Sequence, residues 1–282
     1  MNITLRYGDR GQTVRCLQQL LNRHGATLVL DGHYSDVTKH AVKVFQLHVG
    51  LVADSIAGPK THTALTGGNC QRFLKHVDLS HAAQRLGVPL ASIYALNEVL
   101  SRGMGFLDNG KPLILFERHL MYCQLTIPQL PDDDAASLQQ HADHLVALHP
   151  ALVNPQPGAY AGGTAEHQRL CMARLLDESA ALQATAWGAF QILGFHWQRL
   201  GYASVQAFAN AMTDCEAQQF EAFVRFIQTD PALHKALKAR KWAEFTKSYI
   251  GPDFHRQLTD IKLQRAYERY AACHLAKGEP HD

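Results

Sequence analysis

The chain has 282 residues, 46% of them apolar and 18% charged, with a formal net charge of +2. That balance supplies a packed core and excludes a disordered chain, and domains of roughly 100–200 residues make it one large domain or two modest ones. Near-neutral charge excludes the basic surface that nucleic acid selects, and no apolar run reaches the roughly 18–20 residues of a membrane span. The opening MNITLRYGDRG lacks the basic-then-apolar pattern of a secretory signal, which predicts a cytosolic product. Cysteines at 16, 70, 123, 171, 215 and 273 are scattered without a CxxC pair and read as free buried thiols.

In chain order, composition first changes at Gly67-Gly68. The stretch before it contains an internal repeat. Asp31, Thr38, Ala41 and Val42 recur as Asp54, Thr61, Ala64 and Leu65, each 23 positions later, and Ser35 maps onto Gly58. Leu17-Gln18 and Phe45-Gln46 lead into the two copies at different spacings. Val14, Leu17, Leu20 and Leu21 share one helical face, as do Ala41, Val44, Phe45 and His48. Asp31 and Asp54 occupy equivalent turns, where aspartates cap turns and helix starts. His33, His40 and His48 lack metal-ligand spacing.

The run from Leu5 to Asn22, then Asp31-Gly32-His33-Tyr34-Ser35, Thr38, Ala41-Val42, Phe45-Gln46, Gly50-Leu51, Asp54 and Gly58-Pro59-Lys60-Thr61, resembles the peptidoglycan-binding domain of many cell-wall hydrolases. The match covers nearly all of residues 3–66, with Ser35 and Ser55 standing where that family usually has glycine. The resemblance implies a three-helix domain that holds the peptide stem of peptidoglycan in a shallow groove. Asp31, Tyr34 and Gln46 are its candidate groove residues, and Tyr34 reads equally as a core aromatic.

Helical patterns follow over Phe73–Leu86 and Pro89–Leu100. Asn109-Gly110 between short apolar runs predicts a hairpin within Gly103–Phe116. Pro128–Asp134 reads as a loop, with an aspartate capping a helix that runs to His149. Asn154–Gly163 is a second loop. Further helical patterns cover Thr164–Leu182, Trp187–Leu200, Ser204–Met212, Cys215–Gln228 and Pro231–Arg240, and one runs from Gly251-Pro252 to Leu275. The expected fold is mainly α: a small three-helix domain at 1–68, and a larger helical domain at 69–282 carrying a short β-hairpin.

Chemistry concentrates between Ile93 and His119. Glu98 ends an apolar helix beside Leu96, Val99 and Leu100. Partial burial there would raise its pKa and keep a proton for a glycosidic leaving oxygen. The same residue also fits a surface pair with Arg102, four positions on. Asp108 and Glu117 are the candidates for a second acid. Asp108 is also a natural turn residue, and Glu117 a natural ion-pair partner for Arg118 or His119. No carboxylate separation can be read here, so retaining and inverting outcomes both stand. In Ala186–Gly194, Gly188 and Gly194 permit close backbone approach. Trp187 and Phe190 can wall a cleft, and Gln191 can hydrogen-bond a sugar; a core helix with one exposed glutamine fits equally. Tyr249 places a hydroxyl ahead of a Gly-Pro break.

Together Asn97-Glu98-Val99, Ser101-Arg102-Gly103, Gly105-Phe106-Leu107, Leu115-Phe116-Glu117-Arg118-His119, Trp187-Gly188-Ala189-Phe190-Gln191-Ile192 and Tyr249-x-Gly251-Pro252 resemble the N-acetylmuramidase domain of phage endolysins, in the lysozyme superfamily. The resemblance implies hydrolysis of the β-1,4 bond between N-acetylmuramic acid and N-acetylglucosamine. Glu98 would be the catalytic acid, and Ser101, Trp187, Gln191 and Tyr249 would contact substrate. It further implies no cofactor, a monomer, and cytoplasmic accumulation before holin-dependent release to the wall. Leu100 and Ile250 depart from the family, where Glu and Asn are common. A lytic transglycosylase and a non-catalytic wall-binding protein are the alternatives.

His141, His144 and His149, with Asp143, read as a solvated helix face and not a metal site. Lys235, Lys238, Arg240 and Lys241 surround Leu233, Leu237 and Trp242. They read as a solvated basic face, or as a weak contact to an anionic outer membrane.

Overall fold

The computed structural model describes residues 3–101, 103–251 and 257–275. Among them run fourteen α-helices and one three-stranded antiparallel sheet, the mainly helical architecture expected. None of these helices is long and apolar enough to cross a membrane. The chain forms two compact units, Met1–Asn97 with Ala236–Asp282, and Glu98–Lys235.

In the first unit, α1 (Gln12–Arg23), α2 (Asp36–His48) and α3 (Pro59–Leu65) enclose a core of Val14, Leu17, Leu21, Tyr34, Val42 and Phe45. The expected face of α1 is found. That of α2 is rotated: Thr38, Val42, Phe45 and Gln46 are buried, whereas Val44 is half exposed and His48 exposed. The reason is polar. Two buried glutamines organise the repeat, and Gln46 must turn inward to reach its partners.

Gln18 donates to Asp31 Oδ1 (2.7 Å), the His33 carbonyl (3.1 Å) and Thr38 Oγ1 (3.2 Å), and accepts the Gly32 N–H (3.0 Å). Gln46 donates to Asp54 Oδ1 (2.9 Å), the Ile56 carbonyl (3.0 Å) and Thr61 Oγ1 (3.0 Å), and accepts the Ser55 N–H (2.9 Å). The 23-residue repeat is therefore a duplicated glutamine-centred turn. Each copy satisfies a buried amide completely, as burial requires.

Next come α4 (His76–Leu86) and α5 (Leu90–Leu100), whose Tyr94 packs its ring 5.0 Å from that of Tyr270. The Tyr94 hydroxyl lies 2.6 Å from His76 Nδ1 and accepts the Ala53 N–H at 3.2 Å. The His76 N–H meets the Gly50 carbonyl at 3.2 Å. Residues on both sides of Gly67-Gly68 are thus packed into one unit.

In the second unit, β1 (Ile114–Phe116), β2 (Thr185–Trp187) and β3 (Ile192–Leu193) pair in that order, with Ile114 opposite Trp187 and Trp187 opposite Ile192. Around them lie α6 (Arg118–Leu125), α7 (Ala135–Leu148), α8 (Gly163–Leu176), α9 (Glu178–Gln183), α10 (Val205–Asp214) and α11 (Glu216–Gln228). The capping expectation holds at Asp134, whose Oδ2 accepts the Ser137 N–H at 2.9 Å.

Two helix expectations fail. Thr164–Leu182 is broken at Asp177, which caps α9 through the Ala180 N–H (2.7 Å). Trp187–Leu200 is not a helix but the β2–β3 hairpin followed by a single 3-10 turn. Gly188 (φ 72) and Gln191 (φ 52) reverse the chain there, and neither conformation belongs to a right-handed helix. At Gly194 an added Cβ would meet the Leu182 carbonyl oxygen at 2.1 Å.

The last helices are α12 (Pro231–Lys238), α13 (Trp242–Ile250) and α14 (Thr259–Leu275). Cys16, Cys123 and Cys171 are free but exposed, and Cys70 and Cys215 half-buried, so the thiols do not fill the core as expected.

Candidate active site

Glu98 sits two residues before the end of α5 and is exposed, with Val99 and Leu100 beside it half-buried. The partial burial expected from its apolar neighbours in sequence is absent, because the helix buries Ala91–Leu96 and lifts its last turn out of the core. The Glu98–Arg102 pair lies outside the described residues, as does Pro252 of the Tyr249–Pro252 motif. Ser101 is half-buried, and its Oγ accepts the Gly103 N–H at 3.2 Å.

The segment leaving Glu98 is anchored at Gly105. Its N–H donates to the buried Glu216 Oε1 (2.8 Å), and its carbonyl accepts from Gln219 Nε2 (3.1 Å) and the Leu113 N–H (2.9 Å). Gln219 also donates to the Met212 carbonyl (3.0 Å) and accepts the Ala189 N–H (2.9 Å). A Cβ at Gly105 would meet Gln219 Oε1 at 2.2 Å, and one at Gly188 would meet the same side chain at 2.5 Å. One buried glutamine thus ties the segment after Glu98 to the turn that ends at Gln191. Sequence reasoning passed over it, although Glu216 and Gln219 are polar residues on the face of α11 that also buries Phe220 and Phe223.

Gln191 is half-buried, and its own Nε2 donates to the Gly188 carbonyl at 2.9 Å. Trp187 is 4% exposed, with Nε1 donating to the Leu182 carbonyl at 3.2 Å, and Phe190 is 3% exposed and stacked 4.4 Å from Phe223. These two rings build the core behind the turn; they do not form the cleft wall expected of them. Indole and phenyl groups this apolar contribute most when fully covered.

Asp108 is exposed on a tight turn closed by Leu107 N–H to Lys111 carbonyl (2.8 Å) and Gly110 N–H to Leu107 carbonyl (2.8 Å). Glu117 is more enclosed, with 16% of its side chain accessible. Its Oε2 accepts the Tyr160 hydroxyl at 2.7 Å and lies 3.3 Å from His119 Nδ1. Arg118 turns elsewhere, to the carbonyls of Pro150, Gln156 and Pro157.

A further acid, Glu166, was not anticipated. Burial pushes its carboxyl up, but N–H donors from Gly162, Ala161 and Phe116, with Arg169, outweigh that and hold it below the ordinary range. It is a buried strut. Among the described residues no group of three or more His, Cys, Asp or Glu side chains converges to hold a metal.

In the first unit, Tyr249 is half-buried, its ring stacked 6.0 Å from Phe245. Tyr34 is fully buried with its hydroxyl on the Ser55 carbonyl (2.9 Å), and Gln46 is 2% exposed, so neither presents a side chain to a groove. Asp31 is exposed. Hydrogen bonds from Gln18 and the His33 N–H hold its carboxyl below the usual range. In the basic segment, Leu233, Leu237 and Trp242 are 0%, 0% and 5% exposed. That leaves Lys235, Lys238, Arg240 and Lys241 as charges with no apolar face to insert in a membrane.

Residues 89–271 match the family model for N-acetylmuramidase, and residues 10–65 the model for a putative peptidoglycan binding domain. A crystal structure of a Burkholderia AP3 phage endolysin matches with a TM-score of 0.87 and 49% identity, covering 96% of this chain and 100% of that one. The zinc D-Ala-D-Ala carboxypeptidase of Streptomyces albus G is 46% identical over 61 residues, 21% of this chain. The chain spans only 24% of that relative's length. With the muramidase model spanning residues 89–271, well over half of its length, the chain belongs to the N-acetylmuramidase family.

Proposed function

We propose that this protein is a cell-wall-lysing endolysin that hydrolyses the β-1,4 bond between N-acetylmuramic acid and N-acetylglucosamine, with Glu98 as general acid. The observation that carries the reading is the position of Glu98. It is the only acid of α5, it stands on the exposed last turn, and the segment after it is pinned to the Gln191 turn. A glycan strand laid over an exposed carboxyl removes water from it, and loss of water favours the proton-bearing form. Glu98 then gives that proton to the glycosidic oxygen as the bond from the anomeric carbon breaks. Water adds its oxygen to that carbon and its proton passes to a second carboxylate. Glu117 fits that place better than Asp108, because it is enclosed and hydrogen-bonded while Asp108 is exposed at a turn.

Ser101, Gln191 and Tyr249 contact substrate in this reading, and Asp31 is the one groove candidate of the first domain that keeps an exposed side chain. Residues 1–68 hold the enzyme on peptidoglycan and raise the local concentration of the catalytic residues in 69–282. The protein works as a monomer without a cofactor and reaches the wall from the cytoplasm through a holin pore. Lys235, Lys238, Arg240 and Lys241 add at most a salt-screened attraction to anionic surfaces.

Mass spectrometry of muropeptides released from purified sacculi tests this reading. Reducing muramic ends are expected, and 1,6-anhydro ends would make the protein a transglycosylase instead. Folded Glu98→Gln protein should lose about 10²–10⁴ in rate; substantial retained lysis would remove Glu98 from the role.

A further inference from the structure

Glu117 is held by more than its own helix. Its N–H donates to the Ala184 carbonyl (3.0 Å), and its carbonyl accepts the Met121 N–H (3.0 Å) as α6 begins. The residue is thus fixed at the end of β1. Its Oε2 takes the Tyr160 hydroxyl, while Oε1 carries no hydrogen bond among the described residues. Tyr160 belongs to the Gly- and Pro-rich loop before α8, 43 residues further along the chain. A loop of that composition does not hold an aromatic side chain in place unaided.

The loop is clamped on both flanks of Tyr160. On the N-terminal side, Arg118 donates to the carbonyls of Pro150 (2.9 Å), Gln156 (2.9 Å) and Pro157 (3.1 Å). On the C-terminal side, Glu166 accepts the N–H groups of Ala161 (2.6 Å) and Gly162 (3.0 Å). Both clamps are rooted beside Glu117. Arg118 is the next residue. Glu166 accepts the Phe116 N–H at 3.1 Å, and Arg169, its partner at 2.8 Å, donates to the Phe116 carbonyl at 3.1 Å. Between the clamps the backbone turns through Gly158 (φ 125) and Ala159 (φ 59). A side chain at Gly158 would strain that turn and bring its Cβ within 3.3 Å of Arg118 Nη2. Ala159 occupies a region that non-glycine residues enter only when their surroundings hold them there.

The result is a preformed loop that sets one hydroxyl on one carboxylate oxygen. Burial, then the hydrogen bond and charge of Glu117, push the Tyr160 phenol up to about 12, so it stays a donor across the pH range of any wall substrate. A bond made only to brace the loop is superfluous, since at least five other hydrogen bonds already brace it.

We propose that Tyr160 is a positioning residue for the hydrolysis: through its hydroxyl it fixes the orientation of the Glu117 carboxylate, leaving Oε1 to take the proton of the attacking water. The inference rests on the reading of Glu117 as the second carboxylate. It assigns the tyrosine loop a role in rate and not in binding. Orientation of a reacting group is worth large factors when lost, up to about a hundredfold for a displacement near 1 Å.

A double-mutant cycle on the full-length protein, with soluble glycan oligomers of peptidoglycan as substrate, separates the two claims. Glu117→Gln should lower kcat at least about a hundredfold. Tyr160→Phe, which keeps the ring and removes only the hydroxyl, should lower kcat about tenfold with KM unchanged and the thermal midpoint nearly so. In the Glu117→Gln background, Tyr160→Phe should change kcat less than about twofold, because the group it acts through is gone. Near-normal activity of Glu117→Gln would overturn the second-carboxylate reading, and the inference with it. With Glu117→Gln inactive, the inference alone falls on any of three results: a silent Tyr160→Phe, an effect confined to KM, or a full tenfold loss persisting in the double variant. A kcat loss matched by lost folded protein would likewise overturn it.

Discussion

Replacing Gln219 with leucine tests whether one buried amide shapes the site. Leucine keeps roughly the volume of glutamine and strands two backbone groups, the Ala189 N–H and the Met212 carbonyl, while the Gly105 carbonyl loses one of its two donors and keeps the Leu113 N–H. Gln219 is 1% exposed, so water reaches none of them without rearrangement. Each stranded group costs about 1–3 kcal/mol, a raw total of about 2–6 kcal/mol, and neighbouring losses are not additive. The Gln219 side chain packs so closely on Gly105 and Gly188 that neither has room for a Cβ, so a branched side chain at 219 must fit against bare backbone. We expect about 4 kcal/mol of destabilisation, or a drop of about 8–16 °C in melting temperature at about 2–4 °C per kcal/mol. Urea unfolding followed by tryptophan fluorescence is the assay. Two of the three tryptophans, Trp187 and Trp197, lie in the Glu98–Lys235 unit that Gln219 stabilises. Lysis of sacculi, measured on protein still folded, should fall as well, since the substitution frees both the segment after Glu98 and the turn at Gln191. A loss below about 1 kcal/mol, with full lysis, would refute the account of Gln219 as the tie between them.

The duplicated turn predicts that Gln18→Leu and Gln46→Leu destabilise the first unit by similar amounts, about 3–4 kcal/mol each, because the two amides make matching bonds. Calorimetric midpoints differing by more than a few degrees would show the copies to be unequal. His196 is pushed down to about 4 by burial, then by Arg199. The unfolded chain protonates near pH 6.5 and the folded one does not, so stability falls as pH drops from about 6.5 towards 4. The loss from this group is about 2 kcal/mol once solvent screening is allowed for. His196→Phe should flatten that part of the stability–pH curve, and an unchanged slope would show that other groups produce it.

Much of the fold was readable from local pattern. The periodic apolar residues of α1, the capping aspartate before α7, the Asn-Gly turn and the helices of residues 204–238 all lie close to where the sequence placed them. These signals act over a few residues, so the chain declares them wherever it folds. The motif around Glu98 and the 23-residue repeat were likewise visible, because residue identity at fixed spacing survives without coordinates. What the spacing could not declare was which face is covered. Glu98 lies among apolar neighbours in sequence and is exposed; Trp187 and Phe190 look like a cleft wall and are core.

Tertiary structure alone decided the rest, for one physical reason. A buried polar group must find its partner wherever the fold brings one, and that partner is seldom near in sequence. Gln219 meets a carbonyl 114 residues away, Tyr160 meets a carboxylate 43 residues back, and the run from Trp187 to Leu193 becomes a hairpin because β1 supplies a strand to pair with. Residue types and periodicity determined the helices and the family. The long-range hydrogen bonds that satisfy buried groups determined which of the marked residues face solvent and which hold the others in place.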